Sequence, residues 1–204
     1  LTSTEPDASF FETKMMKIGK WGISRRKDPK YPTWKERVAF QTTNPFLSER
    51  LKQLNFNNKE EGFDLLYQTI PENFRRYFWI GMVDGDGSFY INEKRGMYIF
   101  SLCSSHNQNW TCFTNFLENL DIKYKIERTM SKGGNYSKVF IRGKYEVKKF
   151  GDYLYSTFDQ DGLGLDRKYQ IYKSIKDRCK EIQPKYWGKS KAEIKNLEQF
   201  YLIQ

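Results

Sequence analysis

The residues best suited to chemistry are the two aspartates of the sequence Asp84-Gly85-Asp86-Gly87-Ser88. An apolar segment leads into them, and Pro71 and Glu72 before that segment are typical of the first turn of a helix. The residues that follow, Phe89-Tyr90-Ile91-Asn92, alternate between apolar and polar as in a strand. We therefore predict a buried helix that presents a carboxylate at its end, followed by a strand that leaves from the same point.

Composition limits the chemistry that these acids can serve. The chain has 204 residues, a formal net charge of +10 and 17% aromatic residues. This composition favours a polyanionic partner, because lysine and arginine release the counterions condensed on it. A solvated basic surface with no partner is the alternative. His106 is the only histidine, which excludes zinc sites and nucleases built on a histidine pair. The chemistry must use carboxylates, lysines or a bound metal.

The cysteines and the hydropathy pattern bear on the compartment. Cys103, Cys112 and Cys179 are odd in number and include no Cys-x-x-Cys pair, so we expect neither a disulfide scaffold nor a structural zinc site. No apolar run approaches the ~20 residues of a membrane span, and no signal peptide is visible. We expect no membrane partner and a reducing compartment. An organelle (mitochondrion or chloroplast) or a prokaryotic or phage-infected cytoplasm would fit, since the composition suits an AT-rich genome.

Strand and helix periods follow each other regularly after Ser88. The predicted elements are strands at 88–94, 97–103, 123–130 and 138–142, and helices at 107–120, 145–154 and 165–179. This order predicts an α+β fold in which four strands form an antiparallel sheet.

We divide the chain into three parts. Residues 1–70 form an extension with predicted helices at 48–54 and 59–69, residues 71–182 form the core, and residues 183–204 form a tail with a short helix at 191–201. The extension mixes basic and aromatic residues, which suits either contacts to phosphates and bases or ordinary packing.

Three other interpretations of the two aspartates can be weighed. A calcium loop of the EF-hand type would need glycine at its sixth position and glutamate at its twelfth, and Phe89 and Arg95 stand there. A haloacid-dehalogenase-type phosphatase also has Asp-x-Asp-Gly-Thr after an apolar run, but that run is a strand and a later acidic pair completes the magnesium site. No such pair follows here. A purely structural turn capped by the acids is the third possibility.

The sequence Gly81-Met82-Val83-Asp84-Gly85-Asp86-Gly87-Ser88-Phe89 resembles the LAGLIDADG motif. The predicted element order also resembles the αββαββα core of that family, in which the sheet forms a saddle. The resemblance covers roughly half of the chain. Trp79 and Ile80 depart from the motif, where the family tends to have leucine and a small residue, and such bulk would loosen or re-angle the helix contact that the motif makes.

The resemblance implies a metal-dependent nuclease centre between two motif helices. With one motif copy the chain would act as a homodimer, with Phe78, Gly81 and Met82 at the interface. Asp86 would be the metal ligand of each chain, helped by the carbonyl of Gly85, whereas Asp84 would not bind the metal. Two facing acids repel each other unless a cation such as Mg²⁺ neutralises them.

The family also places a polar residue after the second strand and a basic residue at the start of the last helix, both near the scissile phosphate. The resemblance implies that Ser104, Ser105 or His106 has the first role and that Arg167 or Lys168 has the second. We take Ser105 and Lys168 as the candidates for these catalytic roles.

Strand alternation predicts the face of the sheet that meets DNA. Phe89 and Ile91 should lie beneath the helices, as should Tyr124 and Ile126 of the third strand. A two-stranded ribbon fits the major groove, where side chains read base edges. The outward residues, and thus the predicted DNA contacts, are Tyr90, Asn92, Lys94, Ser101, Cys103, Lys125, Glu127, Thr129, Lys138, Phe140 and Arg142.

We therefore expect a site-specific, Mg²⁺-dependent endonuclease of the homing type that cuts double-stranded DNA. The alternative is a binder of the same fold that does not cleave, either an RNA maturase or a repurposed structural or regulatory protein. The extension, the serines near the site and Asp166, where a lysine would be expected, favour that alternative.

Overall fold

The computed structural model describes residues 2–4, 7–15, 19–27, 29–30, 36–54, 63–130 and 134–179. In the N-terminal part these residues form β1 (Thr2–Thr4), α1 (Ala8–Met15), β2 (Gly22–Arg26), β3 (Arg37–Gln41), α2 (Pro45–Gln53) and α3 (Phe63–Thr69). The remainder forms α4 (Glu72–Asp86), β4 (Gly87–Asn92), β5 (Met97–Ser105), α5 (Thr111–Asn119), β6 (Tyr124–Thr129), β7 (Tyr136–Arg142), α6 (Lys144–Leu154), α7 (Phe158–Asp161) and α8 (Asp166–Asp177).

Four antiparallel strands in the order β4-β5-β7-β6 form the larger sheet. The predicted order of helices and strands from α4 to α8 is confirmed, with α7 as an additional short helix. The α+β fold class is confirmed as well. Helices cover one face of this sheet, because apolar residues alternate onto that face in every strand.

An aromatic core lies between the sheet and its helices. Trp79 of α4 is fully buried, and its ring lies 4.9 Å from the rings of both Phe113 and Phe116 of α5. Gly151 of α6 lets α8 approach closely, since a Cβ there would lie 2.1 Å from the ring of Tyr172. The bulk that departs from the motif at Trp79 therefore fills the protein's own core.

The N-terminal part contains a small sheet that the sequence analysis did not predict. Its three strands are antiparallel in the order β1-β3-β2. Val38 and Phe40 of β3 are buried against Ala8 of α1 and form a separate, smaller core. Helix α2 begins where Asn44 accepts hydrogen bonds from the backbone N–H groups of Phe46 (3.0 Å) and Leu47 (3.2 Å).

The structure differs from the predictions in one strand boundary and in the exposure of one edge residue. The first strand of the larger sheet ends at Asn92, because the Asn92 side chain accepts from the N–H of Arg95 and starts a 3-10 turn that contains Lys94. Ile126 shares the core-facing side of the sheet with Val139, yet it is 39% exposed because β6 is an edge strand. The predicted helix at 191–201 and the rest of the tail from 180 onward lie outside the described residues.

Within the described part of the chain, no helix is long and apolar enough to cross a membrane.

A network of polar contacts ties the start of α4 to the segment after α6. Arg76 donates to the carbonyl of Leu154 (2.9 Å) and to the carboxylate of Asp161 (3.0 Å). Partial burial acts to raise the pKa of Asp161, but hydrogen bonds outweigh it and lower the pKa to about 2. The donors are Thr157, the backbone N–H of Leu163, Arg76 and Tyr77.

This network predicts a pH-dependent stability. A depressed pKa means that the charged form of Asp161 stabilises the fold above its unfolded pKa of 3.8, and that this contribution is lost as the pH falls towards 2. Asp161→Asn should therefore lower the free energy of unfolding by about 2 kcal/mol at pH 7. Urea unfolding at pH 7 and pH 3 should show a smaller difference at pH 3. The exposed Asp177→Asn is the control, and an equal loss at both pH values would contradict the assignment.

Candidate functional site

The junction between the end of α4 and the start of β4 is too tight for any residue but glycine. A Cβ on Gly87 would lie 2.7 Å from the carbonyl oxygen of Val83 and 3.1 Å from the ring of Phe100, so only glycine fits. Asp86, one residue earlier, is the last residue of α4 and is exposed. The predicted helix that ends by presenting a carboxylate at the surface is therefore present.

The side chain of Lys168 caps the C-terminal end of α4. It is 3% exposed, and its ammonium donates to the carbonyl oxygens of Asp84 (2.8 Å), Gly87 (2.7 Å) and Val83. Carbonyls at a helix C-terminus lack intrahelical donors and carry partial negative charge, so a buried cation stabilises them. Burial lowers the pKa of Lys168 to about 8, an effect that the charge of Asp84 opposes.

The surroundings of Asp84 indicate a structural role for its carboxylate. Its side chain is buried, and its Oδ2 accepts from the backbone N–H of Leu165 (3.0 Å), the residue before α8. Burial raises its pKa to about 6, whereas the neighbouring charge of Lys168 lowers it. Among the described residues no donor reaches its Oδ1. Asp84 and Lys168 together join the end of α4 to the start of α8, and Asp86 is left as the exposed acid.

A third aspartate, which the sequence analysis missed, lies beside this junction. Asp7 is 8% exposed, and its carboxylate accepts hydrogen bonds from Arg167 Nε (2.8 Å to Oδ1 and 3.0 Å to Oδ2) and from Arg167 Nη2 (2.7 Å to Oδ2). A signal for it existed in the sequence, because Asp7-Ala8-Ser9-Phe10 resembles Asp86-Gly87-Ser88-Phe89. The N-terminal part therefore contributes a charged residue to the region of the motif.

The registers of the larger sheet define a single outer face. Ser101 pairs with Ser88 and Phe140, and Phe140 pairs with Lys125, so one row crosses all four strands. The remaining predicted DNA contacts lie on the same face in neighbouring rows. Tyr90 and Arg142 both pair with Ile99, and Cys103 and Glu127 both pair with Lys138. Thr129 pairs with Tyr136, and Asn92 pairs with Met97. Lys94 is exposed in the adjoining 3-10 turn.

The outer face is basic with one acid among its cations. Glu127 forms ion pairs with Lys125 (3.1 Å) and Arg142 (3.4 Å). Arg142 also lies over the ring of Phe140, and Lys138 over that of Tyr136, at 5.2 and 4.8 Å from the ring centroids. Tyr90 is 49% exposed. Cations on aromatic rings along a ribbon can contact phosphates while the rings contact sugars or bases.

Ser105, the predicted polar partner of Asp86, lies at the far end of β5. The residue of β5 that pairs with Gly87 is Leu102, three residues earlier, which corresponds to about 10 Å along a strand. The Ser105 hydroxyl is buried and has no hydrogen-bond partner within the described residues. Its catalytic role stays a prediction.

The predicted dimer interface is an open side of α4. Gly81 and Gly85 are exposed, and a Cβ built on either one has no atom of the described residues within 4 Å. Phe78 and Met82 are half-buried against the core, and Phe74 on the same side is 54% exposed. This face is apolar and has room for a second helix at short distance.

Carboxylate and carbonyl oxygens at the end of α4 suit a hard divalent cation. Asp86 is exposed, and Lys168 takes the carbonyls of Val83, Asp84 and Gly87 rather than that of Gly85. The described residues contain no group of three or more histidine, cysteine or acidic side chains that could hold a metal. One chain therefore offers a partial set of ligands, Asp86 and the Gly85 carbonyl.

Comparison with known proteins relates this part of the chain to a protein family. A family model described as a LAGLIDADG-like domain matches residues 73–155. Residues 73–155 are thus a LAGLIDADG-like domain. The match begins at the second residue of α4 and ends just after α6, and thus includes the motif helix and the whole outer face of the sheet.

Two solved structures share the fold over more of the chain. The LAGLIDADG homing endonuclease I-SmaMI bound to cleaved DNA is 12% identical, with a TM-score of 0.51, over 87% of this chain and 76% of that one. The LAGLIDADG meganuclease I-AabMI bound to uncleaved DNA is 13% identical, with a TM-score of 0.50, over 87% and 80%. Each of these likenesses covers 87% of this chain, whereas residues 73–204 make up less than two thirds of it. Both likenesses therefore include residues before 73. No curated protein sequence matches the chain.

Lys168→Met tests the cap on the motif helix. It removes the ammonium that donates to three carbonyls, of which that of Val83 also accepts from the backbone N–H of Gly87, so we expect the free energy of unfolding to fall by about 3 kcal/mol. Lys173→Met, an exposed position on the same helix, should change stability by less than about 0.5 kcal/mol. Chemical denaturation measures both. A Lys168→Met protein of unchanged stability would show that the ammonium is available for another role, including the predicted catalytic one.

Proposed function

We propose that this protein is a site-specific endonuclease of the homing type, which hydrolyses phosphodiesters of double-stranded DNA with Mg²⁺ at the centre of a homodimer. The observation that carries this proposal is the exposed Asp86 at the end of the motif helix, beside a basic outer face of antiparallel strands. Both solved structures of the same fold are bound to DNA.

Three groups of residues divide the work in this proposal. The outer face, with Lys125, Lys138 and Arg142, holds the phosphate backbone, and its aromatic and polar side chains contact base edges in the major groove. Lys168 and Asp84 fix the end of α4 and thus position Asp86. Asp86 and the Gly85 carbonyl would hold Mg²⁺, and the bound ion would supply neutralisation of charge on the reacting phosphate and a water activated as the nucleophile.

The open side of α4 supports the homodimer. Gly81 and Gly85 lie one turn apart with free space above them, and apolar side chains flank them. Pairing this face with its copy would bring two Asp86 carboxylates together and complete the ligand set that one chain lacks. Trp79 does not oppose this contact, since its ring is turned into the core.

A protein that binds DNA without cleaving it is the second candidate. Two observations favour it. The ammonium of Lys168 already donates hydrogen bonds to backbone carbonyls, and Ser105 lies three residues along β5 from the partner of Gly87. Those two residues would then give Asp86 no help near the scissile phosphate.

Replacing Asp86 distinguishes the two candidates. With Mg²⁺ and a library of long random DNA duplexes, the unmodified protein should give discrete cleavage products. Asp86→Asn removes the charged ligand and should lower the cleavage rate by at least ~100-fold while DNA binding persists. Asp177→Asn, with the same charge change on α8, should cleave normally. Binding without products in the unmodified protein would favour the second candidate, and normal cleavage by Asp86→Asn would contradict the proposed site.

Gly81→Leu tests the dimer. The added side chain fills the space that the second helix needs, so the variant should sediment as a monomer in analytical ultracentrifugation and should not cleave. Its melting temperature should stay close to that of the unmodified protein, because none of the residues that the structure describes has an atom near the new Cβ. Cleavage by a protein that remains monomeric would contradict the dimer and would point to Asp7 as the second acid.

A further inference from the structure

A polar cavity lies between α3, the start of α4 and α5. Tyr67 of α3, Arg75 of α4 and Phe116 of α5 belong to its wall, so three helices build it together. Its volume is about 270 Å³, close to the lower end of the range for small-molecule sites, roughly 300–1,000 Å³. Arg75 and Asp86 lie about 16 Å apart along the axis of α4. The cavity is therefore separate from the proposed nuclease centre.

Two opposite charges line this cavity without pairing with each other. Asp64 of α3 accepts a hydrogen bond from the side-chain amide of Asn109 through Oδ2 (3.0 Å), but its buried Oδ1 has no donor among the described residues. Arg75 donates through Nε to the carbonyl of Ile70 (3.3 Å), and its guanidinium lies 5.1 Å from the ring centroid of Tyr67. Within the described part of the chain, the two Nη atoms of Arg75 have no acceptor. One carboxylate oxygen and one guanidinium edge are thus left for a ligand.

The inner wall of the cavity is apolar and lies close to both charges. Cys112 and Phe116, one turn apart on α5, are buried there. Burial raises the pKa of the Cys112 thiol to about 12. The charge of Asp64 acts in the same direction, whereas that of Arg75 lowers the pKa. The two charges therefore act on the same buried thiol, which indicates that they converge on one space.

Amide side chains surround the mouth of the cavity. Asn115 and Asn119 lie one turn apart on α5, and Gln68 lies on α3. All three are exposed. Each amide can both donate and accept hydrogen bonds, so the mouth can contact a charged group of either sign or a peptide bond.

A molecule with both an ammonium and a carboxylate group would satisfy the two unpaired groups at once. Its ammonium would donate to Oδ1 of Asp64, and its carboxylate would accept parallel hydrogen bonds from Arg75. An apolar side chain on the same molecule would pack on Phe116. A ligand with one charge would leave either Asp64 or Arg75 desolvated without a partner, which costs free energy.

We propose that this cavity binds a small zwitterion with an apolar side chain, either a free amino acid or a dipeptide. Asp64 binds its ammonium group, and Arg75 binds its carboxylate group. Binding of such a ligand goes beyond the proposed function and does not depend on it, because no residue of the outer face or of the end of α4 takes part.

Isothermal titration calorimetry of the full chain tests the proposal. L-leucine and glycyl-leucine are the two zwitterionic probes, and the tighter of them shows which source of the ligand fits. The comparison compounds 3-methylbutylamine and 4-methylpentanoate keep the apolar side chain of leucine and lack one charge each. We expect one zwitterion to bind with a stoichiometry of one, and both comparison compounds to bind at least ~10-fold more weakly.

Variants of the two charged residues should show the same dependence. Asp64→Asn keeps an acceptor for Asn109, and Arg75→Gln keeps part of the stem, so both remove mainly a charge. Each should weaken binding of the zwitterion at least ~10-fold. Asp177→Asn and Lys173→Gln make the same charge changes at exposed positions of α8, and they should bind as the unmodified protein does.

A third variant separates loss of binding from loss of folding. Asn115→Trp, at an exposed position of the mouth, should block the cavity and abolish binding while the melting temperature stays unchanged. The proposal is overturned if neither zwitterion binds at millimolar concentration, or if 3-methylbutylamine binds as tightly as L-leucine. Binding that Asn115→Trp leaves intact would place the ligand elsewhere and would overturn it as well.

Discussion

The arrangement of the whole site depends on one buried ammonium group. Lys168 reaches from α8 into the end of α4 and donates to the carbonyls of Val83, Asp84 and Gly87, which span the junction of α4 and β4. Without it, this junction would lose the buried cation that ties it to α8. Because β4 is the first strand of the sheet, the same contact relates the exposed Asp86 to the outer face where the substrate is proposed to bind.

Much of this could be predicted from the sequence, because its strands alternate cleanly. In a sheet with one covered face, a strand shifted by one residue would bury its charged residues, so Phe89, Phe100 and Ile141 determine the register almost alone. The outer-face residues follow from that register without any knowledge of function. The differences from the prediction lie at a strand end and at a sheet edge. The Asn92 side chain accepts from the N–H of Arg95 and so starts a turn, and Ile126 lies in the edge strand β6, where no further strand covers it.

The sequence analysis missed the N-terminal sheet and Asp7, and there are physical reasons for this. The strand Gly22–Arg26 has one apolar residue, and Arg37–Gln41 is too short for alternation to stand out from its surroundings. Their stability comes from a small core with Ala8 of α1, which no local pattern reveals. Lys168 was predicted to act on the substrate because the family resemblance places a basic residue at the start of the last helix, near the scissile phosphate. Nothing in the neighbouring sequence indicates that carbonyls of a distant helix surround it.

The division between Asp84 and Asp86 shows why the motif alternates acid and glycine. At the end of a helix, two residues apart means nearly opposite sides, so one carboxylate turns inward when the other turns outward. The inward acid, Asp84, is stabilised by the N–H of Leu165 and by the charge of Lys168, and burial raises its pKa to about 6. It is therefore committed to joining α4 to α8. Asp86 makes no such contact within the described residues and is exposed, so it is the acid that can meet a cation and a phosphate.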